Sequence, residues 1–263
     1  MMLQDKVAVV YGAGGAIGGA VARAFAAEGA RLFLTGKRLA AVEAVATDIA
    51  AAGGSVDVAR VDALDDHAVD AHLKAATGAA GHVDVSFNAV GIPDAGILGV
   101  PLVELGPDRF VLPITSYAAS WFVTARQAGR RMVPRGSGVI MTVTALHGRT
   151  GLPLVGGFGP AMAAKEALTR ELSAELAPHG VRVVGLRPQA MADTPTIREA
   201  FEPRATATGL TWEQWQEQLA SRTHPRRLMT LAEMAAVAAF LASDGASGIT
   251  GSTVDLTLGR LDD

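Results

Sequence analysis

Four glycines near the start of the chain have the spacing of a turn that binds phosphate groups. They lie in the stretch YGAGGAIG, between an apolar run at 6–11 and an alanine-rich helical pattern at 18–28. Glycine allows a tight turn and lets the backbone approach a pyrophosphate, while the amino end of the next helix offers free N–H groups and a positive dipole. A tight strand–helix connection is the alternative, but the position after the first predicted strand favours a dinucleotide. The predicted contact residues are Gly12, Gly14, Gly15, Ile17 and Gly18.

The residues after the second apolar run bear on which dinucleotide would bind. A site for NAD usually has Asp or Glu at this strand end, where it binds the ribose 2′-hydroxyl. Here Thr35 occupies that place and is followed by Lys37 and Arg38, which can hold a 2′-phosphate. A solvated basic turn is the alternative. The sequence therefore predicts NADP(H), with Asp62 after the third run either as a contact to the adenine edge or as an ordinary strand-end cap.

Short apolar runs alternate with helical patterns along the chain, and these elements must position the residues above. Runs bare of polar residues and separated by helices are typical of a parallel sheet covered on both faces. Right-handed crossovers then give a doubly wound sheet. The predicted fold class is α/β, a Rossmann-type seven-stranded parallel sheet in a single domain over 1–263. The predicted strands are 6–11, 31–35, 56–61, 83–88, 138–144, 181–186 and 252–258, and the predicted helices are 18–28, 38–52, 65–77, 115–132, 160–177 and 231–243.

Composition excludes several classes of function. The chain has 263 residues, 49% of them hydrophobic, and a formal net charge of only −3 without a basic run, which argues against nucleic acid or an anionic membrane as a partner. It has no cysteine, and its six histidines lack metal-binding spacing, so no metal site is predicted. No long apolar segment is present. We expect a cytoplasmic protein.

Together these stretches resemble the short-chain dehydrogenase/reductase family over essentially the whole chain. The resemblance rests on the order and spacing of YGAGGAIG, VDVSFNAVGI, GSGVIMTVTALHG, ALTRELSAELAPHGVRVVGLRP, DTP and TLAEMAAVAAFLASDGASGITGSTV. It implies hydride transfer between a nicotinamide cofactor and a C–O bond. It also implies cofactor contacts at Asn88, Gly91, Pro188 and Thr194. The motifs depart from the family pattern at Tyr11, Ala16 and Gln189.

The catalytic positions implied by the resemblance depart further. Family members use a Tyr as general acid/base, a Lys four residues later, a Ser after the fifth strand and an Asn in the preceding helix. Without gaps, Phe158 falls at the Tyr position and Met162 at the Lys position, while Ala145 falls at the Ser position and Ser116 near the Asn position. Lys165, three residues beyond Met162, is not expected to replace the family's Lys, because it lies roughly 300° around the helix. A shifted register that pairs Phe158 with Lys165, as in divergent enoyl reductases of the family, would need a three-residue deletion.

Two other polar side chains are candidates for a replacement proton donor, together with Ser116. His147 follows the Ala145 position by two residues and would titrate near neutrality; an ordinary surface-loop histidine is the alternative. Tyr117 carries a phenol next to Ser116, although a helix tyrosine more often serves packing or an interface. Asp193 opens the late segment and is interpreted as a turn residue.

The leading hypothesis is an NADP(H)-binding member of this family that moves hydride to or from a small hydrophobic substrate, with a non-standard proton donor or none. A catalytically silent binding protein and a non-redox isomerase or cyclase remain as alternatives. The stretch 189–228 is predicted to cross the carboxyl edge of the sheet, with Trp212 and Trp215 on one helical face as a substrate lid or as plain packing. The resemblance also implies a homodimer or homotetramer, since family members associate through the helices at 115–132 and 160–177, and alanine-rich faces there permit close packing.

Overall fold

The computed structural model describes residues 1–92, 96–191 and 195–260, with the backbone alone at 195–197, 199 and 200. Seven strands form one parallel sheet in the order β3-β2-β1-β4-β5-β6-β7. The predicted fold class is therefore confirmed. The strands are β1 (Val7–Tyr11), β2 (Arg31–Gly36), β3 (Val56–Arg60), β4 (Val85–Asn88), β5 (Gly138–Val143), β6 (Val181–Pro188) and β7 (Ser252–Leu256).

The helices connect successive strands and cover both faces of the sheet. One apolar cluster lies on the side of α1, α2 and α8, and a second lies on the side of α3, α4 and α5. The helices are α1 (Ala16–Ala27), α2 (Leu39–Ala51), α3 (Asp66–Ala80), α4 (Pro107–Met132), α5 (Phe158–Leu176), α6 (Pro195–Ala207), α7 (Trp212–Ser221) and α8 (Leu231–Ala242).

The structure departs from the sequence prediction, or adds to it, at three places. Helix α4 begins at Pro107 and not at 115, because Pro is compatible with the first helical turn and Gly106 precedes it as the N-cap. Strand β3 is not bare of polar residues: it is an edge strand, and Asp57 and Val58 are exposed. The stretch 189–228 holds two helices, α6 and α7, the second begun by a capping box between Thr211 and Gln214.

The strand order reverses between β1 and β4, and this arrangement fixes where a ligand fits. From β1 the chain proceeds outward to β2 and β3, and from β4 it proceeds outward in the other direction. Open α/β sheets bind ligands in the crevice beyond the carboxyl ends of the strands at such a point. Gly12 follows β1 and Ala89 follows β4, so their contact lies at this crevice.

Candidate functional site

The glycine turn after β1 has the geometry that a dinucleotide pyrophosphate needs. Gly12 has a φ of +75°, and a Cβ there would lie 2.5 Å from the carbonyl oxygen of Ala89. A Cβ on Gly18 would lie 2.3 Å from the carbonyl oxygen of Gly12. The N-cap of α1 is Gly15, and no side chain caps the helix. Backbone N–H groups at this helix terminus therefore face the crevice without a competing side chain, which fits a phosphate.

The end of β2 lies one residue later than the sequence indicated. Gly36, and not Thr35, is the last strand residue, while the Thr35 side chain is buried. The strand therefore ends on a residue with no carboxylate for a 2′-hydroxyl. Lys37 forms an ion pair with Asp62, with 2.9 Å between Nζ and Oδ2, and Arg38 is exposed at the N-cap of α2.

The pairing of Lys37 with Asp62 joins two residues that were predicted as separate cofactor contacts. Burial alone would raise the pKa of the Asp62 carboxyl, but hydrogen bonds from Lys37 and from the backbone N–H of Leu64 lower it. Asp62 therefore carries its charge beside Lys37 at neutral pH. Both side chains remain partly exposed to solvent, so a phosphate could still reach the ammonium group.

Asn88 occupies a buried position at the end of β4. Its side-chain nitrogen donates to the backbone oxygen of Ser120 and to Oγ1 of Thr124, both on α4, and its Oδ1 accepts a long hydrogen bond from the N–H of Val90. Asn88 thus ties the loop after β4 to α4. Gly91 lies exposed in that loop.

Other predicted cofactor residues have simpler surroundings. Pro188 is buried as the last residue of β6 and pairs with Leu256 of β7. Ile17 is partly buried on α1 and packs against the first apolar cluster. Thr194 and Asp193 lie outside the described residues.

The residues at the family's catalytic positions come together in one apolar cluster. Tyr117, Ala161 and Met162 are buried there, and Ala145 and Phe158 pack against them. The rings of Tyr117 and Phe158 meet edge to face with 5.7 Å between centroids. Of the side chains in this cluster, the phenol of Tyr117 alone carries an exchangeable proton. Its oxygen lies 3.5 Å from the backbone nitrogen of Ile92, at the long limit for a hydrogen bond. Ser116, the residue directly before Tyr117 on α4, is also buried.

The ammonium group of Lys165 lies near this cluster, although its Cα is about 300° around the helix from that of Met162. Its side chain is only 1% exposed, Nζ donates to the backbone oxygen of Val143 at 2.8 Å, and it lies 5.7 Å from the centroid of the Tyr117 ring. Burial lowers its pKa from 10.5 to about 7. The long, flexible stem carries the ammonium group back toward β5 and α4, and the angular argument from Cα positions did not account for this reach.

His147 is held in a neutral state by its surroundings. Its ring meets Phe158 edge to face at 5.3 Å and stacks on Phe201 at 6.2 Å, and Nε2 lies 3.3 Å from Nη1 of Arg204. Burial, and then the charges of Arg204 and Arg260, lower its pKa from 6.5 to about 3. The expected titration near neutrality is therefore wrong, and His147 carries no extra proton to donate at neutral pH.

The two tryptophans of α7 are buried and belong to a continuous line of rings. Trp212 stacks on Trp215 at 5.1 Å, and Trp215 stacks on Phe201 at 6.0 Å. Phe201 in turn stacks on His147. The shared helical face of Trp212 and Trp215 is therefore a packed face, and the line of rings connects α7 to Phe158 of the apolar cluster through Phe201 and His147.

A buried ionic network, which the sequence did not reveal, lies next to the loop after β5. Glu166 of α5 accepts hydrogen bonds from Thr144 and from the guanidinium of Arg187, and Arg187 also pairs with Asp255 of β7. Thr144 immediately precedes Ala145. The network thus ties the loop after β5 to α5 and to the ends of β6 and β7.

Over the described ranges, no group of three or more His, Asp or Glu side chains is placed to hold a metal ion. Nor does any helix in these ranges have the length and apolar character needed to cross a membrane.

A family model described as enoyl-(acyl carrier protein) reductase matches residues 12–259. The chain belongs to the short-chain dehydrogenase/reductase family, a class of oxidoreductases. It is 32% identical to 2,5-dichloro-2,5-cyclohexadiene-1,4-diol dehydrogenase of Sphingobium indicum, over 95% of this chain and 94% of the relative. It is 33% identical to galactitol 2-dehydrogenase (L-tagatose-forming) of Cereibacter sphaeroides, over 95% and 92%.

The fold also matches a solved structure of the family. A crystal structure of NAD⁺-bound xylitol dehydrogenase superposes with a TM-score of 0.90 at 25% identity, over 97% of this chain and 99% of that one. The neighbouring structure thus carries a nicotinamide cofactor on the same architecture.

Burial of Lys165 makes a testable prediction about stability. Between about pH 7 and 10.5, the ordinary pKa of lysine, the unfolded chain binds a proton at Lys165 that the folded chain does not. Lys165 therefore destabilises the fold most below about pH 7, and this destabilisation becomes smaller as the pH rises. Lys165→Met is therefore expected to raise the free energy of unfolding most below about pH 7. The gain should shrink by up to about 1.4 kcal/mol per pH unit above it. Denaturant titrations across this range measure the difference, with exposed Lys74→Met as the control; a gain that does not change with pH would contradict the prediction.

Proposed function

We propose that the chain is an NADP(H)-dependent oxidoreductase that moves hydride to or from a small, largely hydrophobic substrate, with Tyr117 as proton donor and acceptor. The observation that carries the proposal is the single phenol in an otherwise apolar cluster, at the place where the family resemblance puts the reacting groups. The glycine cradle beyond β1 supports the cofactor part. The names of both curated relatives describe oxidation of an alcohol.

The preference for NADP(H) is supported by the end of β2. Gly36 has no carboxylate to bind a 2′-hydroxyl or to repel a 2′-phosphate. Lys37 and Arg38 follow directly and place two positive charges there. The charge of Lys37 is paired with Asp62. Guanidinium and ammonium groups both bind phosphate well.

At the nicotinamide end of the crevice, a small number of residues would carry out or support the reaction. When bound, the nicotinamide supplies or accepts the hydride. In the reductive direction Oη of Tyr117 gives its proton to the carbonyl oxygen of the substrate, and in the oxidative direction it takes that proton back. Nζ of Lys165 lies 5.7 Å from the centroid of the Tyr117 ring and, in its protonated form, places a positive charge beside the phenol. Lys165 is thus a positioning residue, whereas Phe158 and Met162 provide an apolar wall.

Titration with NADPH and NADH tests the cofactor assignment. We expect NADPH to bind more tightly than NADH, and the double substitution Lys37→Ala/Arg38→Ala to weaken NADPH binding by about 100-fold, because it removes two charge-assisted contacts. NADH binding should change little. Calorimetry or nicotinamide fluorescence measures both, and exposed Lys74→Ala is the matched control. Equal loss for the two cofactors would mean that the basic pair does not read the 2′-phosphate, and absence of binding by either would exclude the proposed redox function.

A catalytically silent protein on the same fold is the second candidate. It is favoured by one observation: Ala145, Phe158 and Met162, at three of the family's catalytic positions, are apolar and packed together. A protein that binds NADPH but oxidises it with no ketone in a broad panel, and reduces no NADP⁺ with any alcohol, would fit this second candidate.

We further propose that the protein forms a homodimer or homotetramer through α4 and α5. The support is an exposed apolar group on α4, where Val111, Leu112 and Phe122 are each more than two fifths exposed. Exposed aromatic and aliphatic side chains on one helix are typical of a protein–protein contact. The molar mass in solution, measured by light scattering, tests this proposal.

A further inference from the structure

Arg204 is a buried guanidinium with an unusual set of partners. It lies in the last turn of α6 and is 7% exposed. Among the described residues its guanidinium contacts the uncharged His147 at 3.3 Å, and its Nε is buried without a hydrogen bond. Arg187 is buried to the same degree but is paired with Glu166 and Asp255. The difference matters because buried charged side chains are nearly always paired.

Among the described residues, the charges that act on the pKa of Arg204 are those of two other guanidiniums. Burial, and then the nearby guanidiniums of Arg260 and Arg222, together lower the pKa of Arg204 from 12.5 to about 10. Arg260 is itself 3% exposed, while Arg222 is exposed at the rim. No described carboxylate forms an ion pair with Arg204. The buried guanidinium of Arg204 itself therefore has a positive potential that an anion would relieve.

The position of Arg204 connects this potential to the proposed reacting centre. His147, its hydrogen-bonding neighbour, packs edge to face on Phe158, and Phe158 packs edge to face on Tyr117. On its other side His147 stacks on Phe201. Arg204 is thus connected to Tyr117 through His147 and Phe158, by one hydrogen-bond contact and two ring contacts.

We propose that the substrate is an amphipathic anion: a hydrophobic body along Phe158 and Met162, with a terminal oxyanion, a carboxylate or a phosphate, bound by the guanidinium of Arg204. The fork of N–H donors in arginine matches both oxyanions in a bidentate way. This inference deepens and rests on the proposed function, because it names the substrate class of the same site. Because His147 is neutral, Arg204 is the charged donor in direct contact with it.

Fragment binding tests the inference apart from turnover. The probes are cyclohexanecarboxylate, its neutral isostere cyclohexanecarboxamide, and cyclohexyl phosphate, each titrated calorimetrically into the intact protein saturated with NADPH, and again without cofactor. We expect the carboxylate or the phosphate to bind about 10- to 100-fold more tightly than the amide, as for a hydrogen bond to a charged group. Whichever anion binds more tightly identifies the oxyanion.

Substitutions locate the binding group. Arg204→Met should remove the preference for the anion while the affinity for the amide is kept, Arg204→Lys should retain part of it, and exposed Arg222→Met should change it by less than about twofold. Equal binding of anion and amide by the unaltered protein, or a preference that survives Arg204→Met, would overturn the inference, as would failure of every probe to bind. A preference that depends on Arg204 in a protein without redox activity would support this anion site and exclude the proposed function, so the two failures are distinguishable.

Discussion

The substitution Tyr117→Phe is expected to lower the turnover of a ketone by about 10²- to 10⁴-fold, the usual contribution of a positioned general acid. The ring stays in its contact with Phe158 at 5.7 Å, and only the phenol oxygen is lost. NADPH affinity should therefore remain unchanged. The measurement is the steady-state rate of NADPH oxidation with a ketone identified in a panel of cyclic ketones.

A cationic acceptor separates proton donation from other effects of this substitution. An iminium substrate needs no proton on its product nitrogen, so its reduction should be nearly as fast in Tyr117→Phe as in the unaltered protein. Slowing of both substrates to the same extent would mean that Tyr117 acts by packing. An unchanged ketone rate would remove Tyr117 from the mechanism altogether.

Tyr11 provides a matched control, since it is the other tyrosine of the chain. It is fully buried in β1, and its hydroxyl makes no hydrogen bond with any described residue. Removal of an unsatisfied buried hydroxyl is neutral or stabilising. Tyr11→Phe should thus leave turnover intact and leave the free energy of unfolding equal or higher.

The substitution Glu166→Ala is expected to lower the free energy of unfolding by about 3–5 kcal/mol, because it breaks a buried ion pair and leaves Arg187 with one carboxylate. Both side chains of the pair are about 5% exposed, and Glu166 accepts two hydrogen bonds from Arg187 and one from Thr144. The loop at 145–148 should also lose rigidity, since Thr144 anchors its start. Urea unfolding measures the first effect and amide hydrogen exchange of the loop measures the second.

A double-mutant cycle assigns the loss to the ion pair. The cycle compares Glu166→Met, Arg187→Met and the double variant, which should lose less than the two single variants together, because it has neither buried charge of the Glu166–Arg187 pair. Exposed Glu171→Ala, on the same helix, should have almost no effect. A double variant as unstable as the sum of its two single variants would show that the pair has no coupling and would contradict the prediction.

The sequence determined the layout of the fold because that layout depends on local patterns. Seven apolar runs separated by helical patterns predicted the parallel sheet, which is confirmed. Gly12 and Gly18 were identifiable for a related reason: a residue type at a fixed distance from a strand end is itself the signal, and the structure gives the cause, since a Cβ at either position would collide with backbone. The departures from the family's Tyr and Lys at Phe158 and Met162 were likewise evident from the sequence alone.

What the sequence left undecided depended on contacts between distant segments. The low pKa of His147 follows first from burial, which no local pattern reports, and then from the charges of Arg204 and Arg260, which are 57 and 113 residues further along the chain. The reach of Lys165 toward Tyr117 depends on how α4 and α5 pack and on a flexible side chain. The unpaired charge of Arg204 is visible only when its surroundings are known. Local sequence fixes backbone elements, but the charge state and partners of a buried side chain are fixed by tertiary packing, because desolvation and Coulomb energies depend on distance in space.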